Sequence, residues 1–493
     1  MDLSKLDFGA PAAERDVLLG LKSYFFESES YKRFKEGRKT ILLGNRGSGK
    51  SAIFKILAAH YRLSGYQVIE LTPEDYSYEM LSRTLTKEAK GSWAKQGAFT
   101  AAWKYLIYIL AMGKVLEKSP SLKKKEARDI YNFLRDHHKG FQNNPLEILV
   151  SYLKRLESIK LGFFDASIKV RELQTLYKLE EISRLLPILE DVCRRTPVVV
   201  FVDELDRGWD ASEDAQASVA GLFQAAMSIN ETTKNFRVLI SLRQELYDNI
   251  PSLYEDAQKV WDLIEVIKWD KTSLLNLMAK RIEYSFPELG KSLPEEWWRA
   301  VFTRKFDQGR FYSFDYLIAR TLYRPREIIQ FCTQAKERAI TSGKVPISYD
   351  TITEVECAYS ENRTKDIAAE YRFQFPGLGS VFEAFRGRAC LFERDELEDL
   401  SLRIILREIT TSDETKKWLD DQEPDFLLNI LWHVGFLRAQ TPGGAKPNRN
   451  ENDFHGPHQI ASLNLRNINK FDVHPMFRTY LGLEEPAQNS TLS

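Results

Sequence analysis

Short apolar runs alternate along this chain with longer stretches in which apolar residues recur every three or four positions. The run "KTILLG" stops at Gly44, and "KSAIFKILAAHYRLSG" follows it with helical spacing and Gly65 as its stop. "YQVIELT" is a second strand candidate, so this segment opens a βαβ unit and predicts a parallel sheet covered by helices. The next strand is distant. "PVVVFVDELD" begins at Pro197 and is almost continuously apolar up to Asp203, as a central parallel strand should be. "FRVLISLRQELY" supplies a fourth strand from Phe236 and "LIEVIKW" a fifth from Leu263.

A crossover needs only about a dozen residues. Most of the span from Tyr76 to Arg195 is therefore read as a helical insertion. It contains the basic run "LKKKEAR" and the apolar run "YLIYILAM", which is far shorter than the ~20 residues that span a bilayer and predicts a buried helix. After the fifth strand comes the helix "SLLNLMAKRIEYSF", then a helical segment from about Pro294 to Ser342. From Pro346 onward the chain reads as a separate unit, with helices in "EDLSLRIILREI" and "PDFLLNILWHVGFLRAQ", a polar stretch "TPGGAKPNRNENDFHGPH" and a closing apolar run "FDVHPMF". The expected domains are a core of residues 1–75 and 196–290, an insertion 76–195, a helical lid 291–345, a C-terminal domain 346–485 and a frayed tail 486–493.

Composition narrows this picture little. The 493 residues carry 70 Lys and Arg against 70 Asp and Glu, which speaks against a wholly basic nucleic-acid coat and leaves local patches open. The four cysteines, Cys193, Cys332, Cys357 and Cys390, are scattered, so neither a zinc ribbon nor a disulfide framework is expected. The N-terminus lacks the apolar core of a signal peptide, and a cytoplasmic protein without a membrane segment is expected.

The chemistry is concentrated in "GNRGSGKS". Gly44, Gly49, Lys50 and Ser51 fit G-x-x-x-x-G-K-[ST], with Gly47 as an extra glycine. In such a loop the backbone N–H groups of Gly44, Asn45, Arg46, Gly47, Ser48 and Gly49 curl around phosphate oxygens, and the following helix aims its positive end at them. Lys50 would reach the β- and γ-phosphates of ATP, and Ser51 would ligate Mg²⁺. In "VVVFVDELD", Asp203 is placed to hold Mg²⁺ through water and Glu204 to polarise the attacking water. An N-capping acidic pair is the structural alternative. Ser241 or Arg243, at the end of "LISLRQ", lies where a polar group can sense the γ-phosphate, and Arg324 or Arg326 of "YRPRE" could reach it from a lid. A surface arginine is the competing reading for each. "LSGYQ" mimics the signature of ABC-type ATPases but follows the phosphate-loop helix, where that signature does not occur. His455 and His458 of "HGPH" have no ligands arranged around them and read as a solvated loop.

Taken together, "GNRGSGKS", "VVVFVDELDRGWD", "LISLRQELY" and "RPREIIQF" resemble bacterial AAA+-like P-loop ATPases of the STAND and KAP neighbourhood. The resemblance implies an α/β fold with a sheet of order 5-1-4-3-2, a helical lid and a C-terminal winged-helix-like domain. It implies that Lys50, Ser51, Asp203 and Glu204 bind and hydrolyse ATP with Mg²⁺, and that Arg326 is a second sensor in the lid. Many such ATPases are switches in signalling, replication initiation or defence against phage. Two features depart from the AAA+ pattern: the long insertion, and the absence of an arginine finger in "ELYDNIPSLYEDAQKVWD", for which Arg207, Arg237 and Arg243 are the substitutes. Ring assembly and homo-oligomerisation therefore stay open. The expectation is an ATP-hydrolysing switch that gates a protein partner carrying the effector chemistry. The rival is a replication-initiator-like ATPase whose winged helix binds DNA, with "LKKKEAR", "AKPNRN", Arg304, Lys305 and Arg310 as phosphate contacts.

Overall fold

A computed structural model describes residues 2–72, 92–118, 125–137, 179–206, 209, 211–232, 235–250, 261–441, 454–460 and 463–485. The start of "LKKKEAR", Arg207, most of "ELYDNIPSLYEDAQKVWD", "AKPNRN" and the C-terminal tail lie outside the described residues. Packing divides the chain into two compact units, 27–268 and 1–26 with 269–493. Residues 1–26 and 269–290, placed with the core on sequence grounds, thus pack with the later helices.

The first unit is built on five parallel strands: β1 (Ile41–Gly44), β2 (Gln67–Leu71), β3 (Val198–Val202), β4 (Phe236–Arg243) and β5 (Ile264–Val266). Their order is β2-β3-β4-β1-β5, the order the resemblance implies, read from the other edge. Every residue of β1 and β3 is buried, which is why both read as unbroken apolar runs. The sheet's cover includes the Ser92–Lys118 helix, read from sequence as part of an insertion. It packs along the Glu213–Thr232 helix, where Trp103 Nε1 donates to the Ser218 carbonyl at 3.0 Å and Lys104 Nζ to Ser228 Oγ at 2.7 Å. The stretch Phe99–Glu117 has the length and hydropathy of a membrane span, yet 72% of its residues are buried in the protein. The buried-helix reading of "YLIYILAM" therefore holds.

In the other unit, the N-terminal segment is tied to the Lys271–Ser285 helix by the buried ion pair Arg281–Asp16 at 3.0 Å. Asp16 also accepts from Tyr24 Oη at 2.7 Å. The expected helical run from Pro294 is broken. The helix Pro294–Val301 ends at Phe302, and a hairpin follows, β6 (Lys305–Phe306) and β7 (Phe311–Tyr312). Gly309 and the left-handed residues Asp307 and Gln308 form its turn, a conformation no helix accommodates. The short helix Ser313–Ile318 follows, and then helices Pro325–Ser342 and Tyr349–Glu370.

The C-terminal elements run helix Leu378–Glu383, β8 (Leu391–Glu393), helix Arg394–Ile405, helix Pro424–His433, β9 (Leu437–Gln440), β10 (Phe454–His455) and β11 (Lys470–Val473). The strands form an antiparallel sheet of order β10-β9-β11-β8. With the one-turn helix Lys416–Leu419 set between its two longer helices and helix Pro475–Leu481 after its last strand, the unit runs helix, strand, helices and then strands, as a winged helix does. "PDFLLNILWHVGFLRAQ" is a helix followed by a strand rather than one helix, because Gly435 at φ 81° turns the chain into β9. Phe382 and Phe436 stack in its core at 4.5 Å. His458 is not a solvated loop residue. Its ring packs 5.0 Å from that of Tyr323, and burial, with Arg324 and Arg438 nearby, pushes its pKa down to about 3.

Candidate functional site

The C-terminal edge of the parallel sheet gathers the loop 44–51, Asp203, Glu204 and Arg243 of the residues singled out from sequence. In open α/β sheets ligands bind outside this edge. Gly44 ends β1 and lies in register with Arg243 at the end of β4. Asp203 follows β3, the next strand over. Neighbouring strands are about 4.8 Å apart, so Asp203 stands roughly two strand spacings from the loop.

The loop leaves β1 and enters the Lys50–Leu63 helix. Gly47 and Gly49 take φ of 80° and 99°, and Gly49 is the helix's N-cap. A side chain is strained in that conformation, which is why the turn needs glycine. The result is a backbone curl ending on a helix whose first N–H groups face outward. Lys50 folds back across it, donating to the Gly44 carbonyl at 2.7 Å and the Asn45 carbonyl at 3.1 Å. Burial holds the Lys50 ammonium below the usual lysine range, and Arg243 adds to this; Glu245, Asp203 and Asp206 oppose it. Ser51 lies in the first turn of the same helix.

Asp203 is fixed at both ends. Its N–H donates to the Leu71 carbonyl at 3.0 Å, and its Oδ1 accepts from the Glu204 N–H at 2.9 Å. Glu204 sits at φ 59°, in the left-handed region. For a residue other than glycine this is strained, by roughly 1–3 kcal/mol, and such strain clusters at functional sites. Arg243 is ion-paired with Asp206 and reaches Glu245 at 3.4 Å. Asp206 and Glu245 escaped the sequence reading, although both lie within the strings already quoted, "DELD" and "RQELY". Ser241 is buried, and its Oγ has no hydrogen-bond partner among the described residues.

Three nominated arginines are occupied elsewhere. Arg237, near the start of β4 and so far from the loop edge, donates to Tyr61 Oη at 3.3 Å and to the Lys39 carbonyl at 3.1 Å. Arg324 and Arg326 lie in the other unit. Arg324 is buried against Glu370 at 2.7 Å and Glu327 at 3.7 Å. Arg326, in the first turn of its helix, donates from Nε to the Pro11 carbonyl at 3.2 Å.

Comparison with known proteins adds three findings. Residues 272–368 match the FunZ-associated C-terminal helical domain. The chain is similar to a transposon protein. That relative, "Putative transposon gamma-delta 80.3 kDa protein" of Escherichia coli (strain K12), is 25% identical over 488 residues, covering 97% of this chain. The chain spans 66% of the relative's length. Among solved structures, the Aeropyrum pernix ORC2 protein in its ADPNP–ADP complexes superposes with a TM-score of 0.31 at 10% identity, over 92% of each chain.

Proposed function

We propose that the chain is an ATP-hydrolysing switch. One observation carries this reading: the glycine curl with Lys50 opens onto the helix N-terminus at the same sheet edge where Asp203 and the strained Glu204 stand. Curl and helix end supply backbone donors for a triphosphate, and Lys50 exchanges its two carbonyls for β- and γ-phosphate oxygens. The phosphates would supply countercharge that offsets the desolvation depressing its pKa. Ser51 and Asp203 offer the hard oxygen donors that Mg²⁺ takes when phosphates complete its shell. The metal, when bound, supplies charge neutralisation between the phosphates. Glu204 accepts the proton of the attacking water, and Arg243 leaves Asp206 to meet the γ-phosphate. The coupling proposed is to a partner protein that carries the effector chemistry, with signalling or antiphage defence as the setting.

The winged-helix order favours a second reading, an initiator-like ATPase that holds DNA. Phosphate release by the purified chain, with and without DNA and beside Glu204→Gln, tests both. Release that is absent from the wild type, or unaffected by Glu204→Gln, overturns the first. Hydrolysis with no DNA binding at any salt concentration overturns the second.

A further inference from the structure

We propose that this chain holds single-stranded DNA with the β6–β7 hairpin and not with the helical face of its winged-helix-like domain. The inference goes beyond the nucleotide site and does not depend on it.

The two surfaces have opposite chemistry. In winged-helix proteins that read DNA, the second helix of the helical pair enters the groove with its N-terminal turn. Here that helix is Pro424–His433, and Asp420, Asp421, Glu423 and Asp425 precede or open it. From Glu393 to Asp425 the chain carries twelve carboxylates and five Lys or Arg, a net charge of −7. Asp420, Asp421 and Glu423 are exposed. A phosphate backbone approaching this face is repelled.

The hairpin is the reverse. Arg304, Lys305, Arg310 and Tyr312 are all exposed, Tyr312 by 50%. The Arg304 guanidinium lies 5.9 Å and the Lys305 ammonium 5.5 Å from the centre of the Tyr312 ring. Among the described residues, no carboxylate is ion-paired with Arg304 or Lys305. Asp307 faces Arg310 at 3.8 Å. The platform is firm. Lys305 pairs with Tyr312 and Phe306 with Phe311 across the strands, and Phe306 is buried against Tyr316 and Tyr349, with ring centres 5.7 and 5.9 Å away. An exposed aromatic ring flanked by two cations is what an unpaired base and its neighbouring phosphates require. A duplex offers no free base face, so the single strand is the form that fits.

The test uses the full chain without nucleotide and a labelled oligodeoxythymidylate, with binding followed by fluorescence anisotropy over a salt series. Wild type is expected to bind with an affinity that falls as salt rises. Arg304→Gln with Lys305→Gln should weaken binding and flatten the salt slope by about 0.7 per lost cation. Tyr312→Ala should weaken it roughly five- to a hundredfold with the slope kept, because stacking and not charge is lost. Asp421→Asn with Glu423→Gln should bind as wild type does. Circular dichroism confirms that each variant is folded, and these exposed positions leave the buried side of the hairpin intact. The proposal is overturned if wild type shows no salt-dependent binding, or if polyglutamate or duplex DNA competes as well as the single strand. It is equally overturned if the hairpin variants bind normally while Lys446→Glu with Arg449→Glu does not.

Discussion

Lys50, half-buried, and Arg324, buried, are both partly desolvated cations, one in each compact unit, and their surroundings differ. Arg324 faces two carboxylates. Burial works against its charge, but Glu370 and Glu327 outweigh it and raise the guanidinium's pKa further. In the same unit Arg320 meets Glu356 at 2.7 Å, and Glu356 also accepts from Tyr316 and Thr479. Lys50 instead touches, among the described residues, only neutral carbonyls at close range, and its pKa is lowered. At the end of β3, two strands over, stands the strained Glu204, and β4 between them holds a buried Ser241 hydroxyl without a partner among the described residues. Buried charge therefore marks two different things here. Where countercharge is complete it is structure. Where it is missing, an anion from solution would complete it.

The largest effect expected is on Arg324. Arg324→Met would leave Glu370 and Glu327 buried without their cation, a loss of about 3–5 kcal/mol. Urea denaturation should show a lower midpoint, and adding Glu370→Gln should recover part of it. If Arg324→Met leaves the midpoint in place and instead abolishes ATP hydrolysis, the comparison is wrong and Arg324 belongs to the nucleotide.

Lys50→Ala reverses this pattern. It removes a cation from β- and γ-phosphates, with charge-assisted contacts worth ~1.5–3 kcal/mol each. ATP affinity should fall by about a hundredfold or more, while the denaturation midpoint holds or rises, because a desolvated charge is gone. Calorimetry showing unchanged ATP affinity would refute the site. The same residue predicts a proton effect. The folded state holds Lys50 below its unfolded pKa, so its ammonium costs stability at low pH, and the cost fades as pH rises through the depressed value. ATP supplies the missing countercharge and should raise that pKa. Binding near the depressed value should then take up protons, seen as a buffer-dependent heat that Lys50→Ala lacks.

Glu204→Gln separates binding from chemistry at the nucleotide edge. The amide keeps the size of the side chain and cannot take a proton. ATP should still bind and turnover should fall about a hundredfold. Wild-type turnover would make Glu204 a cap, its strain unexplained.

The sheet was legible because its inner strands β1 and β3 are buried on both faces, which leaves the unbroken apolar runs "ILLG" and "VVVFV". The loop was legible because a phosphate cradle needs glycines at set spacing. The hairpin at Lys305–Tyr312 was not. Its strands are two residues long, too short to show an alternation against the helices on either side. The partners of Arg243 and Arg324 were hidden for another reason. Asp206 and Glu370 lie 37 and 46 residues away along the chain, and only the folded sheet and helices bring them close. Pattern reading finds elements, whereas countercharge is a property of their packing.

Arg326 tests whether the closed unit takes any part in sensing nucleotide. Its neighbour Arg324 is consumed by structure, whereas Arg326 holds the Pro11 carbonyl through Nε. The resemblance implies a second sensor at this position, which requires a contact that differs between ATP and ADP, since only a differential contact shifts a conformational equilibrium. Arg326→Ala removes one charge-assisted bond at a partly exposed site, so stability should fall by about 1 kcal/mol or less. Hydrogen exchange near Pro11 should quicken modestly. A sensor adds a second signature: ADP affinity stays, ATP affinity drops several-fold, and the difference in exchange between the ATP and ADP states disappears from the Pro325–Ser342 helix. If that difference persists in Arg326→Ala and only the segment near Pro11 loosens, Arg326 is a tether for the N-terminal segment. Nucleotide state would then have to be read by Arg243, through its release from Asp206.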